Sequence, residues 1–150
     1  MIYLRYDEES KPAYMTAMSA GADLRAREEC VILPGKVVAV PTGVWIDMNR
    51  TCFESQTNEI FELQIRARSG LAFKNQITLA NGVGTIDADY PDEIKILLIN
   101  HGDSEFKVEK GMRIGQLVLS KVHRLPNISA QGKRVGGFGS TGIDKIKQQV

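Results

Sequence analysis

The chain has few of the residues that build metal centres or disulfide frameworks: among 150 residues there are two cysteines and two histidines. Cys30 and Cys52 fit no CxxC spacing, and we expect both to act as small, half-buried apolar side chains. His101 and His123 have no cysteine or histidine at zinc-ligand spacing, and neither lies in the sequence context of a catalytic triad. We therefore expect surface histidines and no zinc site.

An excess of charge of one sign is also missing, since 19 basic and 18 acidic residues give a formal net charge of +1. Such a chain lacks the electrostatic footprint of a protein that binds duplex DNA or an anionic membrane. The longest apolar stretch, 37–46, is far shorter than the roughly 20 residues that span a bilayer. Segment 1–9 carries charge too early for a signal peptide. We expect a cytoplasmic protein with no nucleic-acid or membrane partner.

What the chain does contain is a series of short extended segments separated by turn residues about every ten positions. This pattern predicts an all-β sandwich or barrel. Segment 62–66 alternates apolar and polar residues, whereas 95–99 is continuously apolar, as expected of a strand covered on both faces. A short helix fits only 69–75, and 49–58 is typical of a polar surface loop. The candidate strands are 2–6, 24–27, 30–33, 36–40, 43–46, 60–67, 77–80, 93–100, 106–108 and 114–122.

Five stretches rich in small residues are unusual for a purely structural β-protein. The first, 19–26, surrounds Asp23, which is either a turn former or a carboxylate where backbone approaches a ligand closely. The second offers a guanidinium, a hydroxyl and backbone N–H groups at Arg68, Ser69 and Gly70. These groups suit phosphate, although a helix N-cap beside a solvated arginine fits equally well.

The third stretch, 81–91, carries Asp87 and Tyr90. Three residues apart, they would point to opposite faces of a regular strand. Gly84 and Pro91 suggest a bent hairpin instead, in which both side chains could line one pocket for a base and a nucleoside ring. The alternative is a charged turn with Tyr90 as a core anchor.

The last two stretches carry weaker signals. Segment 111–119 holds Gln116, whose apolar neighbours suggest burial, and a structural role fits it well. Segment 136–142 has four glycines in seven residues with two hydroxyls and one aromatic ring. We interpret it as a mobile arm that orders on a phosphate-bearing ligand, with a plain glycine-rich tail as the alternative.

In order and spacing, the five stretches together resemble the five motifs of the trimeric deoxyuridine triphosphatases (dUTPases). The resemblance implies a jelly-roll-like (β-clip) barrel over 1–126 and a glycine-rich C-terminal arm over 127–150. It also implies a homotrimer with active sites at subunit interfaces. The implied reaction is Mg²⁺-dependent hydrolysis of dUTP to dUMP and pyrophosphate, which supplies the thymidylate precursor and keeps uracil out of DNA. The matching motifs are AGADLRA (20–26), RARSGLA (66–72), NGVGTIDADY (81–90), GMRIGQLVL (111–119) and GGFGSTG (136–142).

By matching position, Asp87 resembles the catalytic carboxylate that activates water and also contacts the 3′-hydroxyl of the nucleoside, and Tyr90 the tyrosine that packs on the deoxyribose. Asp23 resembles the carboxylate that holds a Mg²⁺-bound water. The other implied substrate contacts are Asn81, Gly84, Thr85, Ile86 and Lys95 for the nucleoside, Arg68, Ser69, Gly70 and Gln116 for the phosphates, and Lys133, Arg134, Phe138, Gly139, Ser140 and Thr141 in the arm.

Three departures from the family pattern are present, one of which is the loop 49–58, which is more polar than is typical. After Tyr90 the family usually has Arg-Gly-Glu, whereas this chain has Pro91-Asp92-Glu93. The usual arginine five residues before Phe138 is Lys133 here, with an arginine next to it. Because lysine cannot form a bidentate fork, the arm either shifts by one residue or binds phosphate less tightly.

Two other functions compete with this interpretation. A deoxycytidine triphosphate deaminase shares the fold and several motifs, but typically uses a glutamate near the base and lacks the GGFGSTG arm. A catalytically silent β trimer that serves as a binding scaffold is the second. The intact Asp87, Tyr90 and arm motif favour the hydrolase.

Overall fold

The computed structural model describes residues 1–51 and 59–129. Within this part, the chain forms eleven strands, one short α-helix and a 3₁₀ turn at Glu8–Ser10. The elements are β1 (Leu4–Tyr6), β2 (Ala22–Arg25), β3 (Cys30–Ile32), β4 (Val37–Pro41), β5 (Val44–Ile46), β6 (Glu59–Arg66), α1 (Ser69–Asn75), β7 (Ile77–Leu79), β8 (Gly84–Asp87), β9 (Lys95–Asn100), β10 (Phe106–Val108) and β11 (Arg113–His123).

The strands form antiparallel sheets in which most neighbours in space are distant in sequence. A four-stranded sheet has the order β2-β11-β6-β8, and a three-stranded sheet has the order β4-β9-β7. Two smaller ladders pair β1 with β5 and β3 with β10. The all-β fold class predicted from the sequence is therefore confirmed, as is the helix over 69–75.

The core lies where the apolar faces of these sheets meet. On β6 the predicted alternation is present, because Leu63 and Ile65 are buried while their polar neighbours are not. On β9 the expectation of two covered faces is wrong for the single chain, since Ile96 and Leu98 are buried but Leu97 is half-buried. Leu97 lines a cavity, which explains its partial exposure.

Ten of the eleven strands match predicted segments, with ends that differ by up to two residues. The strand missed by the sequence analysis is β8, which begins at a glycine and has only four residues. Because glycine is unfavourable inside strands, the sequence around Gly84 does not indicate this strand.

Half-buried cysteines, surface histidines and a surface loop at 49–58 are also predicted from the sequence. Cys30 is half-buried as predicted, and both His101 and His123 are exposed. In the loop, Asn49 and Arg50 are exposed. Cys52 and the rest of the loop to residue 58 lie outside the described residues. Within the described ranges, no helix is long and apolar enough to cross a membrane.

Candidate functional site

A cavity of about 280 Å³ opens between the four-stranded and three-stranded sheets, next to β8. Apolar walls are formed by Ile65, Leu79 and Leu97. The sequence-predicted residues that line it are Asn81, Gly84, Thr85, Ile86, Tyr90 and Lys95. The structure thus brings together the whole set that the sequence analysis assigned to the nucleoside, except Asp87.

The connection between β7 and β8 forms one side of this cavity. The two strands belong to different sheets, since β7 pairs with β9 and β8 pairs with β6. The hairpin expected at 81–91 is therefore replaced by a crossing between sheets. Gly82 makes the crossing possible with a φ of +71°, a conformation that glycine adopts without steric cost. Gly84 then packs closely on β6, where an added Cβ would lie 3.2 Å from the Cβ of Ile65.

The predicted bend between Asp87 and Tyr90 is present. The backbone N–H of Tyr90 donates to the carbonyl oxygen of Asp87 at 3.0 Å, which closes a turn directly after β8. Tyr90 is 5% exposed, belongs to the core cluster and lines the cavity, so it is both a core anchor and a pocket wall.

The cavity lining includes Tyr90 but not Asp87, so a shared pocket for both side chains stays a prediction. Asp87 is half-buried and pairs across the ladder with Glu62 of β6. It directly follows Ile86, which lines the cavity.

A second group of predicted residues surrounds Asp23 on β2. Asp23 is 3% exposed, and its Oδ2 accepts a hydrogen bond from Nη1 of Arg113 at 3.1 Å. Its Oδ1 lies 3.6 Å from Nε of Arg68. The ladders set Gln116 of β11 opposite Asp23 on one side and opposite Arg66 on the other. Two guanidinium groups therefore compensate one buried carboxylate.

Arg68 in this cluster retains an unused donor. Its Nη1 donates to the carbonyl oxygen of Arg113 at 3.1 Å. Its Nε is buried and has no hydrogen-bond partner among the described residues. Ser69 and Gly70 follow at the exposed start of α1, where an added Cβ on Gly70 would meet nothing within 4 Å. The cluster thus offers an unsatisfied donor beside open backbone, as an anion site requires.

Arg113 is a residue that the sequence analysis missed. It lies three positions before Gln116, so regular alternation would direct it to the other face of β11. The register between β2 and β11 shifts between Arg113 and Gly115, and this irregularity brings Arg113 to Asp23. Gly115 was the available signal, because a glycine inside a strand often marks a bulge.

The described residues contain no group of three or more His, Cys, Asp or Glu side chains that could hold a metal ion. Mg²⁺ bound mainly by phosphates and water needs only one or two carboxylates. Asp23 can supply one from its buried position beside the arginines. The residues present therefore fit an ion that arrives with a polyphosphate, held through water, rather than a preformed metal cage.

Asp23 and Asp87 lie apart within one chain. Asp23 is level with Arg66 of β6 through Gln116, whereas Asp87 is level with Glu62. Four residues along β6 and three strand spacings separate these rows, so the Cα atoms of Asp23 and Asp87 are about 20 Å apart. The arm residues Lys133, Arg134, Phe138, Gly139, Ser140 and Thr141 lie outside the described residues.

An antiparallel β-fold with a base-sized cavity and a separate arginine cluster defines the class, a β-protein that binds phosphorylated nucleosides. A family model described as dUTPase matches residues 7–142. The chain belongs to the dUTPase family.

Curated relatives and solved structures agree with this family. The deoxyuridine 5'-triphosphate nucleotidohydrolase of Brucella melitensis biotype 1 is 48% identical over 140 residues, covering 87% of this chain and 83% of that protein. The protein of the same name from Rickettsia bellii is 48% identical over 139 residues, covering 88% and 87%. A crystal structure of dUTPase from Streptococcus mutans is 28% identical, with a TM-score of 0.69 and coverage of 83% of this chain and 98% of that one.

A Staphylococcus bacteriophage 80alpha dUTPase, described as a G164S mutant with dUpNHpp, shares the fold at 20% identity. Its TM-score is 0.70, and the match covers 95% of this chain and 99% of that chain.

Proposed function

We propose that this chain hydrolyses dUTP to dUMP and pyrophosphate with Mg²⁺, in a site that a homotrimer completes. Membership of the dUTPase family supports the activity. The observation that carries the residue assignment is the cavity, whose lining contains Asn81, Tyr90 and Lys95 together with backbone from Gly84 to Ile86. The proposed location remains the cytoplasm, with no nucleic-acid or membrane partner.

The cavity suits a pyrimidine base. Its volume of about 280 Å³ is near the lower end of small-molecule pockets, and Ile65, Leu79 and Leu97 offer apolar contact to a flat ring. Backbone groups of Gly84 to Ile86 and the amide of Asn81 would pair with the uracil edge. Cytosine reverses the donor and acceptor pattern of that edge, so its binding would leave buried polar groups unpaired.

The reaction needs a water molecule aligned with the α-phosphorus. We assign its activation to Asp87, which accepts a proton from the water as the new P–O bond forms. The bond from the α-phosphorus to the bridging oxygen breaks at the same centre, and pyrophosphate leaves. A positioned general base of this kind typically accelerates a reaction about 10²–10⁴-fold.

The phosphates would bind at Arg68, Ser69, Gly70 and Gln116, together with Arg113. The Nε of Arg68 supports this assignment, because it lies 3.6 Å from Asp23 but makes no hydrogen bond, and a phosphate oxygen would satisfy this buried donor. Mg²⁺, when bound, neutralises developing charge on the phosphate oxygens, and Asp23 would hold it through water.

The separation of the two groups supports a site shared between subunits. The Cα atoms of Asp87 and Asp23 are about 20 Å apart in one chain, which favours the two groups acting on one nucleotide from different subunits. A second copy of the chain can bring its arginine cluster to the first copy's cavity. The arm, including Phe138, Gly139, Ser140 and Thr141 with Lys133 or Arg134, would close over the phosphates.

A paired substrate assay tests the activity. The protein is incubated with dUTP and with dCTP in the presence of Mg²⁺, and pyrophosphate and ammonia are both measured. We expect pyrophosphate from dUTP and no ammonia from dCTP. Ammonia from dCTP would support the deaminase, and neither product would support a silent scaffold.

A further inference from the structure

We propose that Glu93 is a positioning residue that holds the Tyr90 ring against the cavity and so determines discrimination between deoxyribose and ribose. The inference rests on the proposed function, because the sugar is that of the nucleotide assigned to this cavity. Glu93 does not line the cavity, and it would act through Tyr90.

A hydrogen bond connects Tyr90 with Glu93. The hydroxyl of Tyr90 donates to the backbone carbonyl oxygen of Glu93 at 3.3 Å. At the other end of the side chain, the Tyr90 backbone is held by its bond to Asp87. The ring is thus fixed at both ends, and its outer end depends on where the Glu93 backbone lies.

The carboxylate of Glu93 is attached to Gly43 and Arg27. Its side chain is 15% exposed, and its Oε1 accepts from the backbone N–H of Gly43 at 2.6 Å. Its Oε2 accepts from Nη1 of Arg27 at 3.4 Å. A hydrogen bond between a carboxylate and a backbone N–H is stronger than one between neutral groups, so this contact fixes the carboxylate and the backbone that carries it.

The turn between β4 and β5 provides a rigid partner for this contact. Gly43 has a φ of +67°, and an added Cβ would lie 2.4 Å from Oγ of Ser10, so the backbone has little freedom to move. Thr42 and Val44, which flank Gly43, bind Ile94, the residue that follows Glu93. Thr42 Oγ1 donates to the carbonyl oxygen of Ile94 at 2.6 Å, and the N–H of Ile94 donates to Val44 at 2.8 Å.

The position of the Tyr90 ring determines how much space is left beside the sugar of a bound nucleotide. A ring held in place can exclude a 2′-hydroxyl sterically and offers that group no partner. Without the Glu93 carboxylate, the Glu93 backbone is held only through its neighbour Ile94, and the ring can shift with the acceptor of its hydroxyl. The preference for deoxyribose over ribose nucleotides would then fall.

The test compares the ratio of kcat/KM for dUTP and UTP in wild type and in Glu93→Ala. We expect the ratio to fall about tenfold, the size expected for loss of a hydrogen bond made by a charged group. Glu93→Gln retains an oxygen that accepts from Gly43 and should keep most of the ratio. Asn100→Ala is the matched control, because it removes buried hydrogen bonds at the far end of β9 and should leave the ratio unchanged.

A double-mutant cycle with Tyr90→Phe separates positioning from a general loss of stability. If Glu93 acts through the tyrosine hydroxyl, Glu93→Ala in the Tyr90→Phe background should change the ratio by less than about twofold. Fluorescence of Trp45, the single tryptophan, checks folding of each variant. Should Glu93→Ala fail to fold, Glu93→Asp replaces it, since its shorter side chain loses reach to Gly43.

Binding of dUMP and UMP, measured by calorimetry, provides a readout besides turnover. An unchanged ratio in Glu93→Ala, or equal effects of Asn100→Ala, would overturn the inference while leaving the hydrolase intact. A wild-type protein that neither hydrolyses dUTP nor prefers dUMP to UMP would overturn the proposed function as well.

Discussion

Asp87 and Asp89 are two residues apart but lie in different surroundings. Asp87 is half-buried at the end of β8, opposite Glu62, whereas Asp89 is exposed in the turn that follows. Only the first position is suited to hold a water molecule in a fixed orientation. This contrast makes the pair a matched test of the proposed general base.

Asp87→Asn should lower kcat for dUTP by about 10²–10⁴-fold, because the amide keeps the shape but cannot accept the proton of the water. Nucleotide affinity should fall far less, and the assembly should persist. Steady-state kinetics with dUTP and calorimetry with dUMP check both points.

Asp89→Asn is the control for this change and should affect kcat much less. Turnover by Asp87→Asn within about threefold of wild type would contradict the assignment. So would a larger loss in Asp89→Asn at equal folding.

Cys30 provides a test of burial at a single side chain. Desolvation by burial raises the pKa of the Cys30 thiol above its ordinary value of 9.0. Since the thiolate is the reactive form, the thiol should remain unreactive to higher pH than a free cysteine.

We expect the pH midpoint of the alkylation rate with iodoacetamide, measured in a Cys52→Ser variant, to lie above that of the unfolded chain. A midpoint equal to that of the unfolded chain would show that Cys30 is exposed.

At the scale of elements, α1 ends at a residue with an unfavourable conformation. Gln76 has a φ of +56° and a ψ of 28°, the left-handed region that disfavours side chains with a Cβ. Its backbone N–H bonds to the carbonyl of Ala72, as in common helix ends. The conformation is therefore required by the cap rather than by the glutamine side chain.

Gln76→Gly should raise the free energy of unfolding by about 0.5–1 kcal/mol, since glycine adopts this conformation without strain but loses more chain entropy on folding. Denaturation in urea measures the change. A destabilised Gln76→Gly protein would indicate that the glutamine side chain stabilises this helix end.

The C-terminal arm is the element whose role remains a prediction from the sequence. Truncation after Ile128 should abolish most turnover of dUTP, because the resemblance assigns phosphate contacts to the removed segment. The assembly should stay intact, as measured by light scattering. Near-full activity of the truncated protein would contradict the role assigned to GGFGSTG.

Turn residues and period-two patterns predicted most of the strands, because both signals are local. Segment 81–83, by contrast, crosses between sheets because β7 and β8 pair with different strands. Pairing between strands distant in sequence cannot be predicted from a local pattern. Arg113 was missed for a similar reason, since a register shift reverses the face expected from alternation. The nucleoside residues were found through the family resemblance, and the structure gathers them around one cavity.

At the scale of the whole molecule, one chain carries a cavity and an ion-pair cluster, which we propose to be two half-sites. The cavity with Tyr90 lies beside β8, while Asp23, Arg68 and Arg113 form a buried cluster at β2 and β11. About 20 Å separates the Asp87 and Asp23 backbones. We propose that copies of the chain combine, so that in a closed trimer each cavity would receive a neighbour's cluster.

Mixing two inactive variants tests this account most directly. Asp87→Asn removes the proposed general base and Arg68→Ala a proposed phosphate contact, so each alone should hydrolyse dUTP very slowly. Unfolded together and refolded in equal amounts, they should regain about a quarter of wild-type activity, because random assembly pairs two intact half-sites in that fraction of interfaces. Activity no higher than the mean of the two variants refolded separately would contradict a site shared between subunits.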